Sequence, residues 1–595
     1  MQVRLLKPGG ERLFPMERHG EFFEAVVEGA GAGSDYFYRL DGERDRPDPV
    51  SRHQPHGVHG PSRVVDPHDF NWRDGGWRGL PLEDYLTYEL HVGLFSPEGT
   101  FEGALRRLDY LQEEVGVNAV ELMPVGQFAG ERDWGYDGVA PYAPQESYGG
   151  PEGLRRLVEA CHLRGMAVVL DVVYNHLGPE GNYLAEFGPY FSERYRTPWG
   201  EAINFDGRGS DEVRRYFIDN ALYWVREYHI DCLRLDAVHG IFDGSPRHIL
   251  EELAEAVHEE SSTLGRAAHV VAESDLNDVR LIDPVSRCGW GLDAQWNDDL
   301  HHALHTALTN ERQGYYADFQ GLEHLSQAIN HGFVYEGQHS AFRGRRFGSS
   351  SRGRSPCRFI AFAQNHDQVG NRALGERLST LVPFEAVKLA AGLVMLGPNP
   401  PLIFMGEEYG ETTPFLYFTS FADEGLGEAV RRGRLEEFAR FGWKEVPDPQ
   451  APETYEASRP DWGKRLEGDH AHLLALHRRL IDLRTSSPAL TGCRSHVEAT
   501  ALMDDRLLVV ERARGEDRYL LLASFNEHPV TPHLVLPGGL WRCLLDTSWP
   551  QFGGREPVWT QESVLAQDQP VMLRFHPYTL LVYAWGPGLG ARPRS

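Results

Sequence analysis

Cysteine is scarce in this chain. The six in 595 residues (Cys161, Cys232, Cys288, Cys357, Cys493 and Cys543) form no CxxC pair. Such spacing argues against a zinc ribbon or a dense disulfide framework, and the expectation is buried free thiols in a reducing compartment. Long apolar runs are missing too: none approaches the roughly 20 residues of a membrane span. The N-terminal stretch MQVRLLKPGGERLF lacks the apolar core of a signal peptide. Together these absences predict a cytoplasmic protein with no membrane partner. Positive charge is the third shortage. Against 87 Asp and Glu stand 59 Lys and Arg, a formal net charge of −28. A surface of that sign disfavours nucleic acid and anionic membranes and suits a neutral ligand.

What is present divides the chain in three. In residues 1–80, short runs of aromatic and β-branched residues at Glu21–Val27 and Asp35–Leu40 lie between Gly-rich turns. They predict an N-terminal β-sandwich, followed by a Pro-, Gly- and His-rich linker without helical period. Residues 81–490 alternate strands and helices. Strand candidates are Thr87–Ser96, Val117–Val125, Ala167–Val173, Cys232–Val238, His269–Ser274, Asp293–Asn297, Arg358–Asn365 and Leu402–Met405. Helical faces fall between most of them: Phe101, Ala104, Leu105, Leu108 and Leu111 mark one, and Leu154, Leu157, Val158 and Cys161 another. Eightfold alternation predicts an α/β fold, a (β/α)8 TIM barrel with loop insertions. A doubly wound sheet would want a phosphate-binding GxGxxG after its first strand, and Gly93–Phe101 offers none. Residues 491–595 return to β patterning, as in Leu507–Arg512, Arg518–Ser524 and Thr579–Ala584, and predict a C-terminal antiparallel β-sandwich.

Such barrels carry their chemistry at the C-terminal ends of the strands. There the third strand ends Asp171-Val-Val-Tyr-Asn175-His176, the fourth Arg234-Leu-Asp236-Ala-Val-His239, the fifth Glu273-Ser-Asp275, and the seventh Gln364-Asn-His366-Asp367. One acid at a strand end is most often a helix cap. Acids at four ends converging on one mouth are harder to explain that way. A retaining glycosidase needs one carboxylate as nucleophile and one carboxylic acid as proton donor, about 5 Å apart. Arg234, two residues before Asp236, points to the same side of its strand and would keep Asp236 ionised. That makes Asp236 the nucleophile candidate, Glu273 on the neighbouring strand the acid/base, and Asp367 a group for sugar hydroxyls and a developing oxocarbenium.

The segments DVVYNH (171–176), CLRLDAVH (232–239), AES (272–274) and QNHD (364–367) resemble, in order and spacing, the four signature regions of the α-amylase superfamily, glycoside hydrolase family 13. The resemblance covers the whole chain. It implies Asp236 as nucleophile, Glu273 as acid/base and Asp367 as transition-state stabiliser. It implies His176, Arg234 and His366 around the sugar in the cleavage subsite, with Tyr136 of Asp133-Trp-Gly-Tyr136-Asp137 stacked beneath. The first β unit resembles the N-terminal sandwich of branching and debranching members. Within the superfamily, residues 47–67, 364–377 and 414–443 resemble the trehalohydrolase branch. That branch implies hydrolysis of the α-1,4 bond next to the terminal trehalose of maltooligosyltrehalose. A branching enzyme or a plain α-1,4-glucan hydrolase is the alternative; Gln368 stands after Asp367, where branching enzymes usually carry Glu.

Further candidates for substrate contact are Asp137, Trp199, His239, Gln368, Arg343 and Arg346. For each a bland role competes: a loop Trp packing on its scaffold, a solvated basic loop. Glu407 and Glu408 after the eighth strand are either subsite or loop-fixing groups. Asp171 and Asn175 alone do not make a calcium site, which wants six to eight oxygens, so neither metal nor cofactor is expected.

Overall fold

Runs such as Ala167-Val-Val-Leu-Asp-Val172, buried along their whole length, are what a parallel sheet covered on both faces demands. The computed structural model, which describes residues 1–439, 446–554, 557–567 and 569–586, closes eight such strands into a parallel barrel. They are β1 (Thr87–Leu90), β2 (Ala119–Leu122), β3 (Ala167–Val172), β4 (Cys232–Leu235), β5 (His269–Ala272), β6 (Ala294–Trp296), β7 (Phe359–Phe362) and β8 (Pro401–Phe404). They pair in sequence order, and β8 returns to β1. The last residues of the 414–443 stretch lie outside the described residues.

Helices Gly150–His162, Ser210–Glu227, Ile249–Leu264, Asp298–Thr309 and Phe384–Leu396 lie between successive barrel strands. Three expectations need correction. Only a short 3-10 turn, Val285–Arg287, separates β5 from β6, so strict alternation breaks there. The first strand stops at Leu90, because Val92–Phe95 coil into a buried helical turn instead of extending to Ser96. The helix expected from Phe101 is split into an α-helix, Phe101–Leu105, and a π-helix, Tyr110–Val115, ended by Gly116 at φ 99°.

Before the barrel, residues 2–63 form a five-stranded sheet and a separate hairpin of Glu17–His19 with Phe22–Glu24. After it, six antiparallel strands between His496 and Trp585 make a sheet that packs two ways. Leu521 and Ala523 join the barrel's core, whereas Leu520 and Leu522 join a second core with Trp541 and Phe575. This is the period-2 alternation of a strand between two layers. No helix among the described residues is long and apolar enough to cross a membrane.

The thiols depart from expectation. Cys357, in the turn before β7, is disulfide-bonded to Cys493, at the entry to the last sheet, 136 residues away. Cys161 and Cys232 are buried as free thiols, but Cys288 is exposed. No local motif marks the bonded pair, since only the tertiary fold brings the two loops together.

Candidate active site

Parallel register builds the site. Leu235 pairs with Ala272, so Asp236 and Glu273, the next residue on each strand, leave the barrel side by side. Backbone bonds hold them: Asp236 N–H donates to Val172 O at 3.0 Å, and Glu273 N–H to Leu235 O at 2.9 Å. Neighbouring strands lie about 4.8 Å apart, which is the carboxyl separation that retention uses. Ala237 then turns into the left-handed region at φ 39°, and its N–H donates to Glu273 Oε2 at 2.7 Å.

Arg234 has no exposed side-chain surface and lies beneath this pair. Its Nη1 donates to Asp236 Oδ1 at 2.8 Å and to Asp171 Oδ2 at 2.8 Å. Its plane packs 4.3 Å from the Trp296 ring centroid. Asn175 Nδ2 donates to Asp236 Oδ2 at 2.8 Å, so the two oxygens of Asp236 face different donors. Burial pushes Asp171 up to about 6, against the pull of Arg234. Burial also holds Glu273 well above the ordinary carboxylate range; Arg234 opposes this, and Asp236, Asp298 and Asp367 add to it.

Opposite, Tyr136 lies nearly parallel to His366, ring centroids 5.3 Å apart. Tyr136 O–H donates to Asp171 Oδ2 at 2.7 Å, and its oxygen lies 2.8 Å from His366 Nε2. His366 Nδ1 bonds Glu89 Oε1, and its backbone N–H donates to Glu89 Oε2 at 3.2 Å. Burial opposes charge on this ring, but Asp367 and Glu89 outweigh it and raise His366 to about 9. It is an imidazolium at neutral pH, with both N–H groups donating. Asp367 Oδ1 stands 3.5 Å from His366 Nε2 and accepts from Asn371 Nδ2 at 3.2 Å.

Glu89 and Glu121 escaped the sequence reading. They are register partners on β1 and β2, fully inside the barrel. The signal was available: each is a lone acid in a run otherwise apolar or aromatic, Thr-Tyr-Glu-Leu and Ala-Val-Glu-Leu. Burial raises Glu121 well above the usual range, and Glu89 and Asp171 add to the effect. Asp298, at the start of the helix after β6, was missed as well.

Of the remaining candidates, Trp199 sits at the turn of a ribbon, Phe191–Thr197 with Gly200–Ile203, and stacks on His176 at 5.4 Å with 46% of its surface exposed. His239 meets its edge at 6.1 Å. Burial lowers His176, which keeps the ring neutral. Asp137 lies beside Asp133, and burial lifts it to about 6. Arg343 grips Asp275 with two bonds of 3.1 Å and packs on Phe347. Two assignments are redirected. Gln368 Oε1 accepts from Asn365 N–H at 3.0 Å while Asn365 caps the same turn, so its side chain serves a capping box. Arg346 is on an exposed two-stranded ribbon and donates to Gly337 O at 3.2 Å. Glu407 and Glu408 fix their loop: Glu407 accepts from Phe404 N–H, and Glu408 from the hydroxyls of Tyr88 and Tyr110.

A profile of the alpha-amylase catalytic domain matches residues 51–197. A malto-oligosyltrehalose trehalohydrolase of Arthrobacter ramosus is 50% identical over 493 residues, 82% of this chain and 86% of its own. One of Saccharolobus solfataricus is 48% identical over 485 residues, covering 81% and 83%. A crystal structure of an alpha-amylase-type protein from Salmonella typhimurium superposes with a TM-score of 0.87 at 39% identity, over 98% of this chain and 96% of that one.

Proposed function

The chain belongs to the malto-oligosyltrehalose trehalohydrolases of the α-amylase superfamily and is a glycoside hydrolase; from that premise we propose that it releases free trehalose from maltooligosyltrehalose with retention. Asp236 attacks the anomeric carbon of the glucose before the scissile α-1,4 bond. Glu273 protonates the departing oxygen of the trehalose unit. Because Glu273 Oε2 already accepts the Ala237 N–H, the acid proton sits on Oε1, facing the cleft. Water then opens the glycosyl-enzyme, with Glu273 acting as base. Arg234 and Asn175 keep Asp236 oriented and anionic. His366 and Asp367 hold the sugar's hydroxyls, and Asp367 faces the oxocarbenium as it develops. Tyr136 offers the stacking face.

The observation that carries the chemistry is the in-register pair Asp236 and Glu273. The substrate rests on the two relatives' activity, and Trp199, His239, Asp137 and Arg343 are read as its further contacts. The (β/α)8 description and divisions near residues 80 and 490 belong to the same reading, since the first sheet ends at Arg63 and the last begins at His496. So does a cytoplasmic setting, on the free thiols Cys161, Cys232, Cys288 and Cys543. The test is product analysis with maltotriosyltrehalose and with maltopentaose. Trehalose should appear from the first far faster than any fragment from the second. Equal rates would make the enzyme a plain glucan hydrolase, and new α-1,6 branches a branching enzyme.

A further inference from the structure

Beside Glu273, and away from the Tyr136–His366 wall, lies a pocket with about 350 Å³ of free space, part of it open to solvent. That is within the range of small-ligand clefts. Asp275 and Asn277 line it from the end of β5, Asp298 and His302 from the helix after β6, and Tyr315 and Phe342 from the long connection before β7. None of these side chains holds the sugar on the nucleophile's side, so the pocket faces the leaving group.

Its polar atoms are poorly matched to one another. Asp275 Oδ1 and His302 Nδ1 are buried without a hydrogen-bond partner among the described residues. No hydrogen bond from any described residue reaches the Asp298 carboxyl. Asp298 and His302 are four apart on one helix and therefore share a face. Leaving such groups unpaired is costly unless a ligand satisfies them. Tyr315 and Phe342, 37% and 52% exposed, meet edge to face at 6.4 Å, and Tyr315 packs 4.7 Å from His302. Exposed aromatic rings beside orphaned polar atoms are what the apolar face and the hydroxyl rim of a sugar require.

We propose that this pocket receives the leaving disaccharide and that Asp298 is its specificity-determining contact, bonding hydroxyls of a sugar with no reducing end. The proposal rests on the trehalohydrolase reading and deepens it. Packing around Asp298, then Asp275, Asp367 and Asp299, raise its carboxyl to about 8, so at neutral pH it both donates and accepts. His302, pushed down to about 3 by burial and the neighbouring His305, stays neutral.

The experiment compares Asp298→Ala and the isosteric Asp298→Asn on maltotriosyltrehalose and on 4-nitrophenyl α-maltotrioside, whose leaving group carries no sugar hydroxyls. On maltotriosyltrehalose the Ala variant should lose about 100-fold in kcat/KM. That loss should exceed the loss on the aryl substrate by at least tenfold, and inhibition by free trehalose should weaken in parallel. The Asn variant should fall between, and it carries the test if the Ala variant does not fold. Equal losses on both substrates would mean that Asp298 acts through Glu273, and no loss would empty the pocket of the role; either overturns the proposal. If wild-type enzyme cleaves maltopentaose as fast as maltotriosyltrehalose, the trehalose reading fails separately. The substrate ratio is then taken with maltopentaose, and maltose replaces trehalose as inhibitor.

Discussion

The barrel buries clusters of Asp and His at both ends, and the two ends treat them differently. At the floor, Trp77 Nε1 donates to Asp231 Oδ1 at 2.7 Å, and Asp231 Oδ2 lies 2.9 Å from His162 Nε2. His162 Nδ1 lies 2.7 Å from Asp74 Oδ2, which also meets His229 Nδ1 at 2.8 Å. Trp77 stacks on His162 and Trp72 on His229. Asp74, His162 and His229 have a metal site's composition, yet their spacings are those of hydrogen bonds. Every ring nitrogen of His162 is spent. At the mouth, Arg234 Nε and Nη2, His239 Nδ1, Asp275 Oδ1 and Asn365 Nδ2 have no hydrogen-bond partner among the described residues. The same residue types make a fastener where they satisfy one another and a reaction site where they do not.

The strongest break in this comparison is Asp236→Asn. It should cut turnover on maltotriosyltrehalose by about 10⁴-fold or more, while thermal unfolding stays at or above the wild-type Tm because a buried charge is removed. A variant with wild-type turnover would remove Asp236 from the chemistry.

Next comes Glu273→Gln, expected to cost about 10²–10⁴-fold. Glu273 is raised, so its proton is present at neutral pH and lost as pH rises; wild-type kcat/KM should therefore fall on the alkaline side. With a substrate bearing an activated leaving group, the Gln variant should keep only the limb near pH 9 where His366 gives up its charge. A pH profile identical to wild type would contradict the assignment of the donor.

The floor should answer in stability alone. His162→Phe leaves Asp74 and Asp231 short of a partner and should cost about 3 kcal/mol of unfolding free energy, with kcat/KM of the folded enzyme within about twofold of wild type. Burial opposes charge on His162, but Asp231 and Asp74 outweigh it and raise the ring above its ordinary 6.5. The sign follows: this contribution is complete below pH 6.5 and disappears as pH climbs through the raised value. The gap in stability between wild type and variant should therefore narrow in alkaline buffer; a gap constant with pH would make His162 a neutral packing residue.

The smallest effect belongs to Cys357→Ser, which removes the link to Cys493 outside both clusters. About 2 kcal/mol of stability should go, with activity unchanged, and thiol titration under denaturing conditions should count five free thiols in the variant against four in wild type, as six cysteines with one disulfide require. Six free thiols in the wild-type enzyme would show that the bond does not form.

Much of this was legible in the sequence for one reason: strands buried on both faces read as apolar runs, and all eight barrel strands lie within theirs. Asp236, Glu273 and Asp367 were legible because an acid at the end of such a run stands out. What escaped depended on distance or on competition for a side chain. Gln368 looked like a substrate contact until Asn365 claimed it as a cap. Cys357 and Cys493 are neighbours only through the folded connection between barrel and sheet. Gln2–Lys7 went unassigned although its burial alternates at Val3 and Leu5, because the charged Arg4 and Lys7 break up its apolar look.

The pairing of Leu235 with Ala272 has a consequence for how such a protein can change. The gap between the residues that follow them is set by the hydrogen-bonded spacing of two adjacent strands, a constant of backbone geometry. The anomeric outcome of the reaction is thus inherited from the sheet itself. Loops around the mouth, such as the ribbon carrying Trp199 or the connection carrying Phe342, are free to lengthen, shorten or exchange side chains and so alter which glucan is accepted. The handedness of the product would survive every such exchange, and only a slip in register between β4 and β5 would alter it.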